Sequence, residues 1–330
     1  AQHAEAEVRE LAELLRAPVV SRQMGRGVLS DEHPLSLRAA AANHIWPSFD
    51  LVIGIGTRLQ QLREWGMDSK LKVIRIDVDA MEHTRVAPPD VGLVADAADA
   101  TRALLGALRG LEISGLDTST ELDAARSRLQ RELTEQIPLQ VAYLDAIRAE
   151  LPPNAVMVDE ITQVGHAAKL SFPTLAPRTL LTSGYQGTLG YGYATALGAQ
   201  AAQTDRPVIS INGDGGFMYT MPELATAVLH ELPVIALVFN DHAFGNVETI
   251  QKRWYGSRII ATRLRNPDFV ELARTFGALG LRARTPEELR GALRSALAQR
   301  RPAVIDIPVD TEAMGWVWSF ILPKKVRGEV

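Results

Sequence analysis

Apolar positions in this chain follow two patterns, short unbroken runs and faces that recur every three to four residues. Residues 207–211 (Pro-Val-Ile-Ser-Ile) and 233–239 (Pro-Val-Ile-Ala-Leu-Val-Phe) are β-rich runs of the first kind, the pattern of parallel strands covered on both faces. Between them Leu224, Ala227, Val228 and Leu232 keep a helical face. Thr220-Met221-Pro222-Glu223 has the form of a capping box with proline in the first turn. The whole reads as a βαβ unit, whose right-handed crossover sets the two strands side by side. The same rhythm appears earlier, with a helix over 5–16 and strands over 18–21, 51–55 and 72–77. Later, Ala142, Ile147 and Leu151 mark a helix, and 155–158 a strand. The expectation is an α/β protein of two parallel-sheet, three-layer domains, over residues 1–115 and 137–330, the second ending in a C-terminal tail. The polar, charged stretch 116–136 between them predicts a surface linker helix.

Composition narrows the class. A length of 330 residues is more than one ordinary core needs and suits two domains. The formal net charge is −4, with Lys and Arg scattered, which leaves no electrostatic footprint for nucleic acid. Without cysteine there is no disulfide, thiolate zinc site or cysteine nucleophile. No apolar run reaches the length of a membrane span, and the Glu-rich start does not read as a signal peptide. A cytoplasmic protein is expected.

The chemistry gathers where the two predicted strands end. Asn212-Gly213-Asp214-Gly215-Gly216-Phe217 follows the first and Asn240-Asp241-His242-Ala243-Phe244-Gly245 the second. Adjacent parallel strands emerge on one edge of the sheet, so Asp214 and Asp241 should converge there as two oxygen ligands. Mg²⁺ prefers octahedral oxygen coordination and is commonly held by one or two carboxylates plus substrate phosphates. Gly213, Gly215 and Gly216 allow close backbone approach to a phosphate. A metal–diphosphate clamp is the reading.

With these residues the chain resembles the thiamine-diphosphate-dependent enzymes of the acetolactate synthase-like group, whose signature pairs Gly-Asp-Gly with a later Asn-Asn or Asn-Asp. Here Gly213-Asp214-Gly215 and Asn240-Asp241 supply it. The first domain carries matching segments: Ala17-Pro18-Val19-Val20, Gly25-Arg26-Gly27, His33-Pro34-Leu35, and residues 50–59. These resemble the family's Rossmann-like central domain, where some members bind FAD; nothing in the sequence supports FAD here. The resemblance implies Mg²⁺ held by Asp214, Asp241 and the Ala243 carbonyl, with Gly216, Asn240, Phe244 and Gly245 around the cofactor. It implies diphosphate contacts from Thr162 and Gln163, and less so from Glu160, which an exposed turn explains almost as well. Gly187-Thr188-Leu189-Gly190 resembles the family's Gly-Thr-Met-Gly. By that resemblance the Gly187 carbonyl accepts from the cofactor's 4′-amino group, and the Leu189 side chain wedges between pyrimidine and thiazolium to enforce a bent cofactor. As ordinary core, Leu189 would be buried instead.

The implied activity is decarboxylation or carboligation of 2-oxo acids, a lyase or transferase working as a homodimer or homotetramer. Acetolactate synthases carry a tryptophan soon after the second motif; Ile250 stands there and Trp254 is displaced, which leaves a benzoylformate decarboxylase-like lyase open. The family's catalytic glutamate belongs to an N-terminal pyrimidine-binding domain, which the resemblance leads one to expect missing here, in cis or trans. Two other readings compete. Gly54-Ile55-Gly56 after a strand, with Asp77 about 20 residues on, suggests a nicotinamide oxidoreductase, but Leu59 occupies the third glycine's place. A non-catalytic cofactor-binding fragment is the other. Among remaining candidates, His242 faces either substrate or solvent, His166 and His230 read as helix-surface residues, the aromatic run 316–320 as a docked tail, and Lys324-Lys325-Val326-Arg327 as a solvated end.

Overall fold

The computed structural model describes residues 3–113, 115–322 and 324–328. Two compact units separate: Ala1–Glu132 with Trp318–Val330, and Leu133–Val317.

The first unit opens with α1 (Glu5–Leu15), which ends where Arg16 turns left-handed (φ 51°) and donates back to the carbonyls of Ala12 and Glu13. Strands β1 (Val19–Ser21) and β2 (Ser36–Arg38) pair in parallel, and α2 (Ala39–Ile45) follows. Next come β3 (Leu51–Ile55), the short α3 (Gln61–Glu64), β4 (Lys72–Asp77), β5 (Val91–Val94) and α4 (Ala97–Leu108). The last three strands form a parallel sheet in the order β3-β4-β5. α5 (Ser119–Gln136) is a helix within the polar, charged stretch 116–136. It is amphipathic rather than purely superficial, because Leu122, Ala125, Leu129 and Leu133 recur at helical spacing and are all buried. The basic end is not wholly solvated either. Arg327 is buried, pairs with Asp68 at 2.8 Å, and lies against Gly66 so closely that a Cβ there would meet its carbonyl.

The second unit runs α6 (Pro138–Glu150), β6 (Val156–Val158), α7 (Gln163–Ser171), β7 (Leu180–Leu181), α8 (Tyr191–Ala202), β8 (Val208–Gly213), α9 (Asp214–Thr220), α10 (Leu224–Leu229) and β9 (Ile235–Asn240). α11 (Gly245–Trp254), α12 (Phe269–Thr275), β10 (Leu279–Arg282), α13 (Pro286–Gln299) and β11 (Ala303–Pro308) complete it. A further turn of helix, α14 (Trp318–Ile321), belongs to the first unit. The second unit's six strands are all parallel, in the order β10-β11-β9-β8-β6-β7. Every residue of β9 is buried and all but the last of β8, as unbroken apolar runs require.

The connection between β8 and β9 departs from expectation. No capping box forms at Thr220, whose side chain makes no cap hydrogen bond; instead the helix begins at once at Asp214, and Met221–Glu223 is a 3₁₀ turn between two short helices. Phe217 is the reason. Fully buried, it packs edge-on against Tyr193 (5.3 Å) and Phe269 (5.7 Å), each pair adding about 0.5–1.5 kcal/mol beyond area burial. Those contacts hold the chain in a helix directly below Asp214.

Candidate active site

Because β8 and β9 are neighbours in register, with Gly213 opposite Phe239, Asp214 and Asp241 leave the sheet side by side. Both line one cleft with Thr162, Gln163, Leu189 and Gly213. Gly215, Gly216, Ala243, Phe244 and Gly245 line it too. Gly187, Thr188 and Asn240 do not. Gly187 (φ 51°) and Thr188 lie exposed on the loop before α8, where a Cβ on Gly187 would sit 3.2 Å from Ile161 of the cleft wall. Asn240 is buried behind Asp241.

The two carboxylates are held by the backbone of Gly215 and Ala243, which the sequence singled out, and by two side chains it did not, Asn266 and Thr311. Asn266 Nδ2 donates to Asp214 Oδ2 (2.6 Å) and to Asn240 Oδ1 (2.8 Å), while Gly215 N donates to Asp214 Oδ1 (2.8 Å). Thr311 Oγ1 donates to Asp241 Oδ2 (2.7 Å), and Ala243 N to Oδ1 (3.1 Å). Behind them Asn240 donates to Asp306 (3.1 Å), which also accepts from Arg282 (2.9 Å). Gly245 is demanded by crowding, since a Cβ there would lie 2.0 Å from Asp241 Oδ2. Asn266 and Thr311 come from distant loops, and no nearby pattern could have announced them.

Burial pushes the Asp214 carboxyl up to about 6; neighbouring Asp241 adds to the rise and the Asn266 hydrogen bond opposes it. Asp241 is also raised, chiefly by burial. Two desolvated like charges at one sheet edge disfavour each other's ionisation, a cost that a bound cation reverses. Among the described residues no cluster of three or more His, Cys, Asp or Glu gathers, so further ligands to a cation here would be backbone, amide or phosphate oxygens.

The loop after β6 supplies the opposite wall. Thr162 caps α7, its Oγ1 accepting from Gly165 N (2.7 Å), which leaves the hydroxyl proton to donate elsewhere. Gln163 Oε1 is buried without a hydrogen-bond partner. Glu160 is no exposed turn residue: it is 1% exposed, and burial lifts its carboxyl to about 7. Nor does His166 lie on a helix surface. It is buried on α7, where desolvation drives its imidazole down to about 3 and so keeps it neutral. His230 is exposed, as expected, and so is His242 (φ 54°). Leu189 is 37% exposed, which rules out ordinary core. Trp254 is half exposed and meets Trp316 edge-on at 6.1 Å, with the Arg253 guanidinium over Trp316 at 4.4 Å.

Comparison with known proteins locates both units. The central domain of thiamine pyrophosphate enzymes matches residues 1–104, and their C-terminal TPP binding domain matches residues 160–307. The chain is 32% identical over 326 residues to a probable acetolactate synthase large subunit of Methanocaldococcus jannaschii, covering 92% of this chain and 55% of that protein. It is 32% identical to an acetolactate synthase of Mycobacterium leprae (94% and 53%) and 31% identical to a probable 2-ketoarginine decarboxylase of Pseudomonas aeruginosa (90% and 54%). The chain spans about half the length of the curated relatives it matches. Among the described residues no helix is long and apolar enough to cross a membrane.

Proposed function

Since this chain belongs to the thiamine pyrophosphate enzymes, carrying their central and C-terminal domains, we propose that its second unit binds thiamine diphosphate through Mg²⁺ and serves a decarboxylase or carboligase of 2-oxo acids. The observation that carries this reading is the convergence of Asp214 and Asp241 from adjacent strand ends into one cleft. The donor set fits. Two carboxylates and the backbone at Ala243 offer hard oxygens to Mg²⁺, and phosphate oxygens complete its preferred octahedron. At about 90 Å³ the cleft is below the roughly 300–1,000 Å³ typical of sites that bury a whole ligand; it suits the diphosphate end of the cofactor.

Bound there, thiamine diphosphate supplies the electron sink for loss of CO₂ from a 2-oxo acid. The chain's own groups bind and orient. Asp214 and Asp241 would hold the cation, Thr162 and Gln163 would donate to phosphate oxygens, and Leu189 would pack against the cofactor's rings. Alignment of reacting atoms is where such side chains contribute to rate. A decarboxylase without carboligation is a second reading, favoured by Ile250 on α11 in place of the tryptophan of acetolactate synthases. Calorimetric titration of the chain with thiamine diphosphate, with and without Mg²⁺, is the test. Mg²⁺-dependent binding is expected, and its absence would end the proposal.

A further inference from the structure

Glu160 takes no part in the cofactor grip described above, yet two separated segments, the start of α8 and the first turn of α9, close around its carboxyl. Gly190 N donates to Oε1. A Cβ on Gly216, in the first turn of α9, would lie 2.4 Å from Oε1, and one on Gly192, in α8, 3.2 Å from Oε2. Such separations leave no room for a side chain at either position. Oε2 has no hydrogen-bond partner, and neither has Asn212 Oδ1, which flanks the same Gly192 at 2.4 Å from that Cβ position. Neighbouring segments lean on the same loop. Ile161 lies beneath Gly187, and a Cβ on Gly213 would lie 3.3 Å from Thr162 Cγ2.

We infer that Glu160 is a positioning residue that fixes the loop bearing Gly187 and Leu189 to the strand-to-helix corner bearing Asp214, and so sets the distance between the two ends of the cofactor site. The inference rests on the cofactor reading above and extends it. Asp214 and Asp241 grip one end of a bound molecule, and the Gly187–Gly190 loop would meet the other. One buried carboxyl, reaching from β6's loop to both, keeps them in register. A charged group buried this deeply is costly unless its oxygens are engaged, so a glutamate is retained here only where its reach is used. Burial favours its neutral form, in which the carboxyl offers one donor and one acceptor. An amide presents the same donor and acceptor, which makes glutamine the conservative replacement.

The test compares two ligands on the full chain with Mg²⁺ present: thiamine diphosphate, which spans both ends, and inorganic diphosphate, which needs only the metal end. Glu160→Ala should weaken thiamine diphosphate about 10-fold or more, the scale of a lost hydrogen bond to a carboxyl group, while inorganic diphosphate stays within about twofold. Glu160→Gln should restore the first value. Glu160→Asp keeps the carboxyl but shortens its reach; if the alanine variant does not fold, it should show the same selective loss, with faster hydrogen exchange at the Gly190 amide. Equal losses for both ligands, or no loss for either, would overturn the positioning role and leave the cofactor reading standing. A parent chain that binds neither ligand would overturn both.

Discussion

Two glycine-bearing corners, one in each unit, begin alike and end differently. After β3 the chain runs Gly54-Ile55-Gly56-Thr57, and after β8 it runs Gly213-Asp214-Gly215-Gly216. In the first, Gly56 turns left-handed (φ 56°), the Thr57 carbonyl is taken by the buried Arg75 (2.6 Å), and Leu59 at φ 48° packs onto Gly54. The helix that follows, α3, has only four residues. No dinucleotide-type corner forms, because the side chain at Leu59 fills the space a third glycine leaves open. In the second, the strand passes straight into α9, and a second carboxylate arrives from β9. Glycine spacing alone therefore says little about ligands. What distinguishes the corners is whether neighbouring strands bring acidic groups to the same edge.

The largest expected effect breaks one corner and spares the other. Asp214→Ala should lower Mg²⁺-dependent affinity for thiamine diphosphate by more than about 100-fold, whereas Asp77→Ala, at the end of β4, should leave it unchanged; calorimetry on both variants decides. Next, Gly245→Ala drives a methyl into Asp241 and should weaken binding about 10-fold. Gly56→Ala, whose Cβ would meet nothing within 4 Å, should cost only about 1–2 kcal/mol of stability through its left-handed backbone, with binding intact.

A third, intermediate effect depends on pH. Glu160 titrates at about 7 when folded against 4.5 ordinarily, so between those values the folded chain holds a proton that the unfolded chain has lost. Stability must then fall as pH rises through that window, by about 1–3 kcal/mol. Glu160→Gln should remove that slope, read as the parent-minus-variant difference in urea midpoints from pH 4.5 to 7; a constant difference would contradict the assignment. Smaller again, Asp241→Asn keeps an amide oxygen as ligand and should weaken Mg²⁺-dependent binding only several-fold. Smallest in binding is Leu189→Ala, expected within about threefold, although a complete enzyme should lose on the order of 10² in turnover through misalignment.

Much of this was written locally in the chain. Unbroken apolar runs mark β8 and β9, and the adjacency of such strands puts Asp214 beside Asp241. The misreadings have physical causes. Thr220 to Glu223 satisfied a capping pattern, but burial of Phe217 started the helix seven residues earlier, at Asp214. Glu160 and His166 looked exposed because their own neighbourhoods are polar or mixed; the glycines that enclose Glu160 lie 30 or more positions away in sequence. Asn266 and Thr311 could not be found from spacing, since each is brought in by a loop whose path depends on the whole sheet. The buried face of α5 was also missed, because the many charges of 116–136 outweighed four apolar residues, Leu122, Ala125, Leu129 and Leu133, whose helical spacing marks it.

The strand order β10-β11-β9-β8-β6-β7 also bears on the order of assembly. β8 and β9 are joined by one crossover, while β9 meets β11 only after α11, α12, β10 and α13 have intervened. Closing the shorter loop costs less entropy, and distant parallel pairings are slow. The pair of aspartates should accordingly come together early in refolding, with the Thr311 contact completed last. Pulsed hydrogen exchange would record it as protection appearing in Val208–Gly213 before Leu279–Arg282, so that for an interval the nascent chain carries both acids without the hydroxyl that orients one of them.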